Sequence, residues 1–220
     1  MRYAAVIFDC DGVLVDSEIL GLEDSAAYLR AHGLPWSGAD LVRLFTGLRD
    51  DAFRRRLIDG YRKANMVDPP ADFFDGLIDQ RRRRRDELRE VAGAADALRL
   101  TRGRNAVASS SRRAVLHDKL KRVGHYDLVA PNIYSGDDVA HGKPAPDLFL
   151  HAADRLGVAP RDCLVVEDSV NGVAAGVAAG MAVCAFLGGG HCFEGHRERL
   201  EEAGASFAAA SFSDLVRVIG

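Results

Sequence analysis

Five polar residues follow short apolar runs, and with one lysine elsewhere in the chain their types define a chemistry. The stretch FDCDGVLVDSE sets Asp9 and Asp11 two residues apart directly after YAAVIF. If Phe8 closes a β-strand, the period of two turns both carboxylates to one side and Cys10 to the other, and Gly12 lets the chain bend sharply. Carboxylates so placed repel unless one takes a proton or a cation sits between them, which points to a hard, oxygen-seeking metal such as Mg2+. A second acidic pair, Glu167 and Asp168, ends the run CLVV. Convergence of the two pairs at one sheet edge would complete an oxygen cage. Ser109, after NAVA, offers a hydroxyl and neighbouring backbone N–H groups suited to a phosphoryl oxygen. Lys143, in HGKPAPDLF, adds positive charge on a backbone stiffened by Pro144 and Pro146. A cage alone could store a metal, but metal, lysine and hydroxyl together suit a phosphoryl group.

These residues need elements to carry them. The runs YAAVIF, NAVA, CLVV and AVCAF are bounded by turn signals and separated by helix-compatible sequence, a pattern that predicts a doubly wound α/β fold with a parallel sheet. Ligands bind such sheets in the crevice at the carboxyl ends of the strands, where these polar residues fall. Between Ser17 and about Glu87 the chain is amphipathic and strand-free, as in LEDSAAYLRAHG and PADFFDGLIDQRRRRRDELRE. This predicts a helical cap over residues 17–86 inserted into a discontinuous core of 1–16 and 87–220, with hinges near Asp16 to Glu18 and Glu87 to Val91.

The chain has 220 residues, 48% hydrophobic and 28% charged, with a net charge of −3, as in an ordinary globular protein. Nothing in that charge attracts nucleic acid or an anionic membrane, so an anionic ligand must be drawn locally. The N-terminal apolar stretch is too short for a signal peptide, and the glycines and Asn171 argue against a membrane span in VNGVAAGVAAGMAVCAFLGGG. The expectation is a cytoplasmic protein, a monomer or weak homodimer, with neither nucleic-acid nor membrane partners. Cys10, Cys163, Cys184 and Cys192 lack paired spacing and read as reduced, mostly buried thiols.

With DCDGVLVDSE, Ser109 in ASSS, Lys143 in KPAPDLF and EDSVNG in that order at strand ends, the chain resembles the haloacid dehalogenase superfamily, in its phosphatase and β-phosphoglucomutase-like branch with a helical cap. The resemblance spans nearly the whole chain. It implies that Asp9 attacks phosphorus to form an aspartyl-phosphate while Asp11 protonates the leaving oxygen and then activates water. It also implies Mg2+ held by Asp9, the backbone carbonyl of Asp11 and Asp168, with Glu167 as ligand or just outside, and Ser109 and Lys143 on the phosphoryl oxygens. The namesake dehalogenases lack an acid at the place of Asp11. Arg49 in TGLRDD falls where the sugar-phosphate mutases of this branch read a distal phosphate. Those mutases also carry a His just after the first motif, and Glu18 to Gly21 provide none. The reading is therefore a Mg2+-dependent phosphatase of a small phosphorylated metabolite such as a sugar phosphate, ahead of a phosphomutase and, more remotely, of a receiver-like phospho-aspartate switch.

Several plainer readings stand beside these. Ser111 and Arg112 are weak candidates for phosphate or substrate contact, and the three serines taken alone read as a helix-capping turn. Asp16 and Ser17 read as hinge and capping residues. The run Arg81 to Arg85 reads as a solvated helix face with neighbouring acids. His191, Cys192 and His196 in GGGHCFEGH could ligate zinc, but they lack a fourth partner in the sequence and read as a surface loop outside the site. GDDVAHGKP departs from a nucleotide-binding loop in spacing and at Pro144. Gly172, Gly176 and Gly180 suggest close packing of a helix on the sheet.

Overall fold

The apolar runs are buried strands. A computed structural model describes residues 3–45, 48 and 50–219. In chain order the elements are β1 (Ala5–Phe8), α1 (Leu22–Ala31), α2 (Gly38–Phe45), α3 (Asp50–Asn65), α4 (Phe73–Arg83), α5 (Ala94–Leu100), β2 (Asn105–Ser109), α6 (Arg113–Arg122) and α7 (Tyr126–Val129). They continue with β3 (Ile133–Ser135), α8 (Asp147–Leu156), β4 (Cys163–Glu167), α9 (Val170–Ala178), β5 (Ala182–Phe186), α10 (His196–Glu202), β6 (Phe207–Ala209) and α11 (Phe212–Ile219). The six strands form one parallel sheet in the order β3-β2-β1-β4-β5-β6.

Strand alternation divides the core in two. Val6, Phe8, Val107, Leu164, Val166 and Phe186 face one side, against Leu98, Leu116 and Leu215 from α5, α6 and α11. Ala5, Ile7, Ala106, Val165 and Val183 face the other, against Phe149 and Ala152 of α8 and Val173 of α9. Both faces of every central strand are thus withdrawn from water, which is why these strands read as unbroken apolar runs.

The chain leaves β1 for β2 on one side and later places β4 on the other, so the crevice at the carboxyl end of β1 is the topological switch point. The register Phe8↔Val107 and Phe8↔Val166 brings Asp9 beside Ser109 and Glu167. Strands β3 and β6, with three residues each, go beyond the four read from the sequence. Each is an outer strand of the sheet, too short for periodicity to mark.

Helices α1 to α4 lie between β1 and β2 and gather around a separate apolar cluster of Leu29, Leu34, Phe45, Leu57, Tyr61, Phe73 and Leu77. The outgoing and returning chains are tied together: Asp16 N donates to Arg89 O at 3.0 Å and Val91 N to Leu14 O at 3.1 Å. Arg81 of α4 reaches back to donate to Ser17 O at 2.8 Å. Among the described residues no helix is long and apolar enough to cross a membrane.

Candidate active site

Lys143 is the centre of the crevice. Its side chain is 1% exposed, and its Nζ donates to Asp9 Oδ1 at 2.5 Å, Glu167 Oε1 at 2.6 Å and Ala108 O at 2.9 Å, using all three protons. Burial alone would depress the ammonium, but Asp9 and Glu167 outweigh it and raise its pKa. Asp9 is fixed from its own backbone as well, its N–H donating to Val166 O at 2.9 Å. Burial lifts the Asp9 carboxyl well above its ordinary pKa; Lys143 opposes this, and Glu167, Asp168 and Asp11 add to it.

Glu167 is satisfied by protein. Its Oε2 accepts from Asp168 N, Ser169 N and Ser169 Oγ, each at 3.0 Å. Gly172, in the first turn of α9, makes this possible, because a Cβ there would stand 1.8 Å from Glu167 Oε1. Gly176 also packs close to the sheet, its Cβ position lying 2.7 Å from Val183 Cγ2. Spacing of small residues thus brings α9 down onto the acidic pair.

Asp11 is engaged on both oxygens. Oδ1 accepts from Ser17 Oγ and Lys119 Nζ, and Oδ2 from Ser111 Oγ at 2.8 Å and Ser109 Oγ at 3.3 Å. Burial would raise its pKa, but the Lys119 charge and hydrogen bond, with those of Ser17 and Ser111, hold it below the usual carboxylate range. Lys119 was invisible in the sequence: it sits in HDKLKR beside Lys121, and only its place one residue before buried Leu120 on α6 hints at an inward turn.

Asp168 corrects the surface-loop reading of GGGHCFEGH. His191 and His196 are both buried, 5% and 6% exposed. His191 Nε2 lies 2.8 Å from Asp168 Oδ2 as an ion pair, and this buried oxygen has no hydrogen-bond partner. His196 Nε2 donates to Asp168 O at 2.7 Å. Burial would depress His191, but Asp168 overrides it and lifts the imidazole to about 11, while burial leaves Asp168 itself raised to about 6. Donor atoms of His191, Cys192 and His196 lie within 4.8 Å of one another; His191 Nε2 faces both Asp168 Oδ2 and, at 4.0 Å, Cys192 Sγ, and His196 Nε2 is bonded to Asp168 O. No local spacing in the sequence ties these two histidines to Asp168, 23 and 28 residues upstream, which is why they read as lying outside the site.

The donor set fits a hard divalent cation. Asp9, Asp168 and the turn at Gly12 (φ 76°) meet where buried carboxylates outnumber their cations, and Asp168 Oδ2 is the unpartnered atom. Glu167, with both oxygens engaged, stands behind them as the partner of Lys143.

Above this floor is a cavity of about 710 Å³ walled by the helices between β1 and β2. Its far wall is apolar, with Leu22, Leu41, Phe53, Phe74 and Ile78. Exposed Arg54 also lines it, its guanidinium stacked 4.7 Å over the Phe74 ring. Ser111 and Arg112 line the near side, whereas Arg49 lies outside the described residues. In the arginine run, Arg82 pairs with Asp79 and Arg84 with Asp24 and Glu87 at the surface, and Arg81 turns to the Ser17 carbonyl. Cys10, Cys163 and Cys184 are buried free thiols, and Cys192 is partly exposed.

The chain belongs to the haloacid dehalogenase-like hydrolases, whose family model matches residues 3–180. Among individual proteins, it is 32% identical over 185 residues to the fructose-1-phosphate phosphatase YqaB of Escherichia coli, covering 82% of this chain and 94% of that one. It is also 32% identical over 185 residues to the bifunctional riboflavin kinase/FMN phosphatase of Arabidopsis thaliana; the match takes in 83% of this chain and 48% of that longer one, so the chain spans about half of this relative's length. A hydrolase structure from Deinococcus radiodurans, with bound phosphate and sodium, superposes with a TM-score of 0.81 at 34% identity, covering 99% and 95% of the two chains.

Proposed function

We propose that the protein is a Mg2+-dependent phosphatase that hydrolyses a small phosphorylated metabolite, a sugar phosphate, through an aspartyl-phosphate on Asp9. As a haloacid dehalogenase-like hydrolase with phosphatase relatives, it is a phosphoric monoester hydrolase. The observation that carries the reading is Lys143, buried and bridging Asp9 and Glu167 beneath a cavity of metabolite size. Phosphate bound to the Deinococcus relative supports it.

In this reading Asp9 Oδ bonds to phosphorus as the ester P–O bond breaks, and Asp11 gives the leaving oxygen a proton. Asp11 then takes a proton from water, whose oxygen attacks phosphorus, freeing Asp9 and inorganic phosphate. Lys143 and Ser109 hold phosphoryl oxygens against the charge that develops. Asp9, Asp168 and the Asp11 carbonyl would hold the cation, with Glu167 behind them, and it would supply neutralisation of the phosphoryl charge. Asp11 must first leave Lys119, because a carboxylate held ionised by an ammonium has no proton to give. Helices α1 to α4 serve as the cap over residues 17–86, excluding water and selecting the leaving group, with Arg49 and Ser111 as substrate contacts. Hydrolysis is favoured over isomerisation because no His follows the first motif.

The test is phosphate release from a panel of sugar and other metabolite phosphates, with and without Mg2+. Native protein should release phosphate only with the metal, Asp9→Asn should lose all substrates, and Arg49→Ala should lose a subset. Isomerisation of a bisphosphate without phosphate release would overturn hydrolysis.

A further inference from the structure

We propose that His191 and His196 are positioning residues that set the affinity of the acidic site for its divalent cation by gripping Asp168 at its carboxylate and at its carbonyl. This rests on the metal-dependent reading above. The loop carrying His191 follows β5, whereas Asp168 follows β4, so the grip is a tertiary contact across neighbouring strand ends.

The slot for His191 is built from glycine. A Cβ on Gly12 would lie 2.6 Å from His191 Cε1 and 1.9 Å from Asp168 Oδ2, and a Cβ on Gly189 would lie 2.7 Å from His191 Nδ1 and Cε1. Imidazole and carboxylate therefore share one space, bounded by the first acidic turn and by the triple glycine. The turn is closed by Cys192 N donating to Gly189 O at 3.1 Å. The side chain within it is 0% exposed.

His196 approaches from α10. Its Nε2–H···O contact of 2.7 Å fixes the Asp168 peptide, and its ring stands nearly perpendicular to that of His191, at 89° and 5.6 Å between centroids. Phe193 packs on His196 at 4.9 Å. Neither Nδ1 has a hydrogen-bond partner. Two polar rings buried this deeply are costly as filler, and each turns its Nε2 to the same aspartate, His191 in an ion pair at 2.8 Å and His196 in a hydrogen bond at 2.7 Å. With Asp168 Oδ2 itself short of a hydrogen bond, His191 is the side chain paired with this carboxylate, and His196 holds the peptide that carries it. Supports of this kind to a ligand side chain change metal affinity about 10–100-fold when removed.

The experiment is Mg2+ titration by calorimetry of the full chain, native against His191→Leu, His191→Gln and His196→Gln, with the melting temperature of each in chelator. Leu keeps the volume in the slot without a polar atom, and Gln restores an N–H. The expectation is a Kd for Mg2+ about 10–100-fold weaker in His191→Leu, recovery of most of that loss in His191→Gln, and near-native melting without metal. Native binding with His191→Leu within twofold of it overturns the inference and leaves the metal reading standing. If His191→Leu does not fold, His191→Ala takes its place: a Kd for Mg2+ about 10–100-fold weaker at a melting temperature close to that of His191→Gln supports the inference, and affinity within twofold of native, or weakening that only follows the loss of melting temperature, overturns it. Native protein that binds no Mg2+ overturns the metal reading itself.

Discussion

The floor and the far wall of the cavity are built on opposite rules. On the floor, Asp9, Lys143, Glu167 and Asp168 are each 6% exposed or less, and the Lys143 protons and both Glu167 oxygens are all engaged by named partners. On the wall, Leu41, Phe53, Phe74 and Ile78 are half-buried, and the arginines near them are exposed. A buried charge must be paired or it is expelled, so the floor tolerates one arrangement. An apolar wall constrains volume alone and can be altered residue by residue. Under the proposed function, the chemistry is thereby fixed while the leaving group it accepts is free to vary.

That contrast can be broken by substitution. Asp9→Asn should lower kcat by about 10³-fold or more with the fold intact, measured as steady-state phosphate release. Lys143→Met leaves Asp9 and Glu167 buried without a counter-charge and should cost about 3–5 kcal/mol in urea unfolding. Gly172→Ala drives a methyl into Glu167 and should cost about 1–3 kcal/mol, with turnover falling in step because Lys143 moves with its partner. On the wall, Arg54→Ala should raise KM for an accepted ester severalfold, leaving kcat and, within about 2 °C, the melting temperature unchanged. A drop in stability as large as that of Lys143→Met would erase the distinction between the two regions. The smallest effect concerns thiols: burial pushes Cys184 up to about 12 and Cys163 up to about 11, so at pH 8 iodoacetamide should label partly exposed Cys192 first, read by mass spectrometry.

Much of the floor was legible because β-strands carry their own register. Asp9, Ser109 and Glu167 each follow a short apolar run, and a parallel sheet with a switch point at β1 brings such positions together whatever else the chain does. Lys143 was legible through the two prolines around it. Lys119 was not, since an inward-turned lysine on a helix looks like its solvated neighbours until the helix is docked. His191 and His196 were misread for a related reason: glycine-rich sequence signals a turn, and the same glycines serve here to admit an imidazole.

By itself the amino-acid sequence determined the parallel α/β sheet, the helical stretch between its first two strands, and the acids, serine and lysine at the strand ends. These follow from periodicity and local turn chemistry, which act over a few residues. Only the tertiary structure decided that Glu167 belongs to Lys143, that Lys119 holds Asp11, and that two histidines from a distant loop grip Asp168. Such pairings are set by the cost of burying a charge or a polar ring without a partner, and that cost has no value until the chain has folded around them.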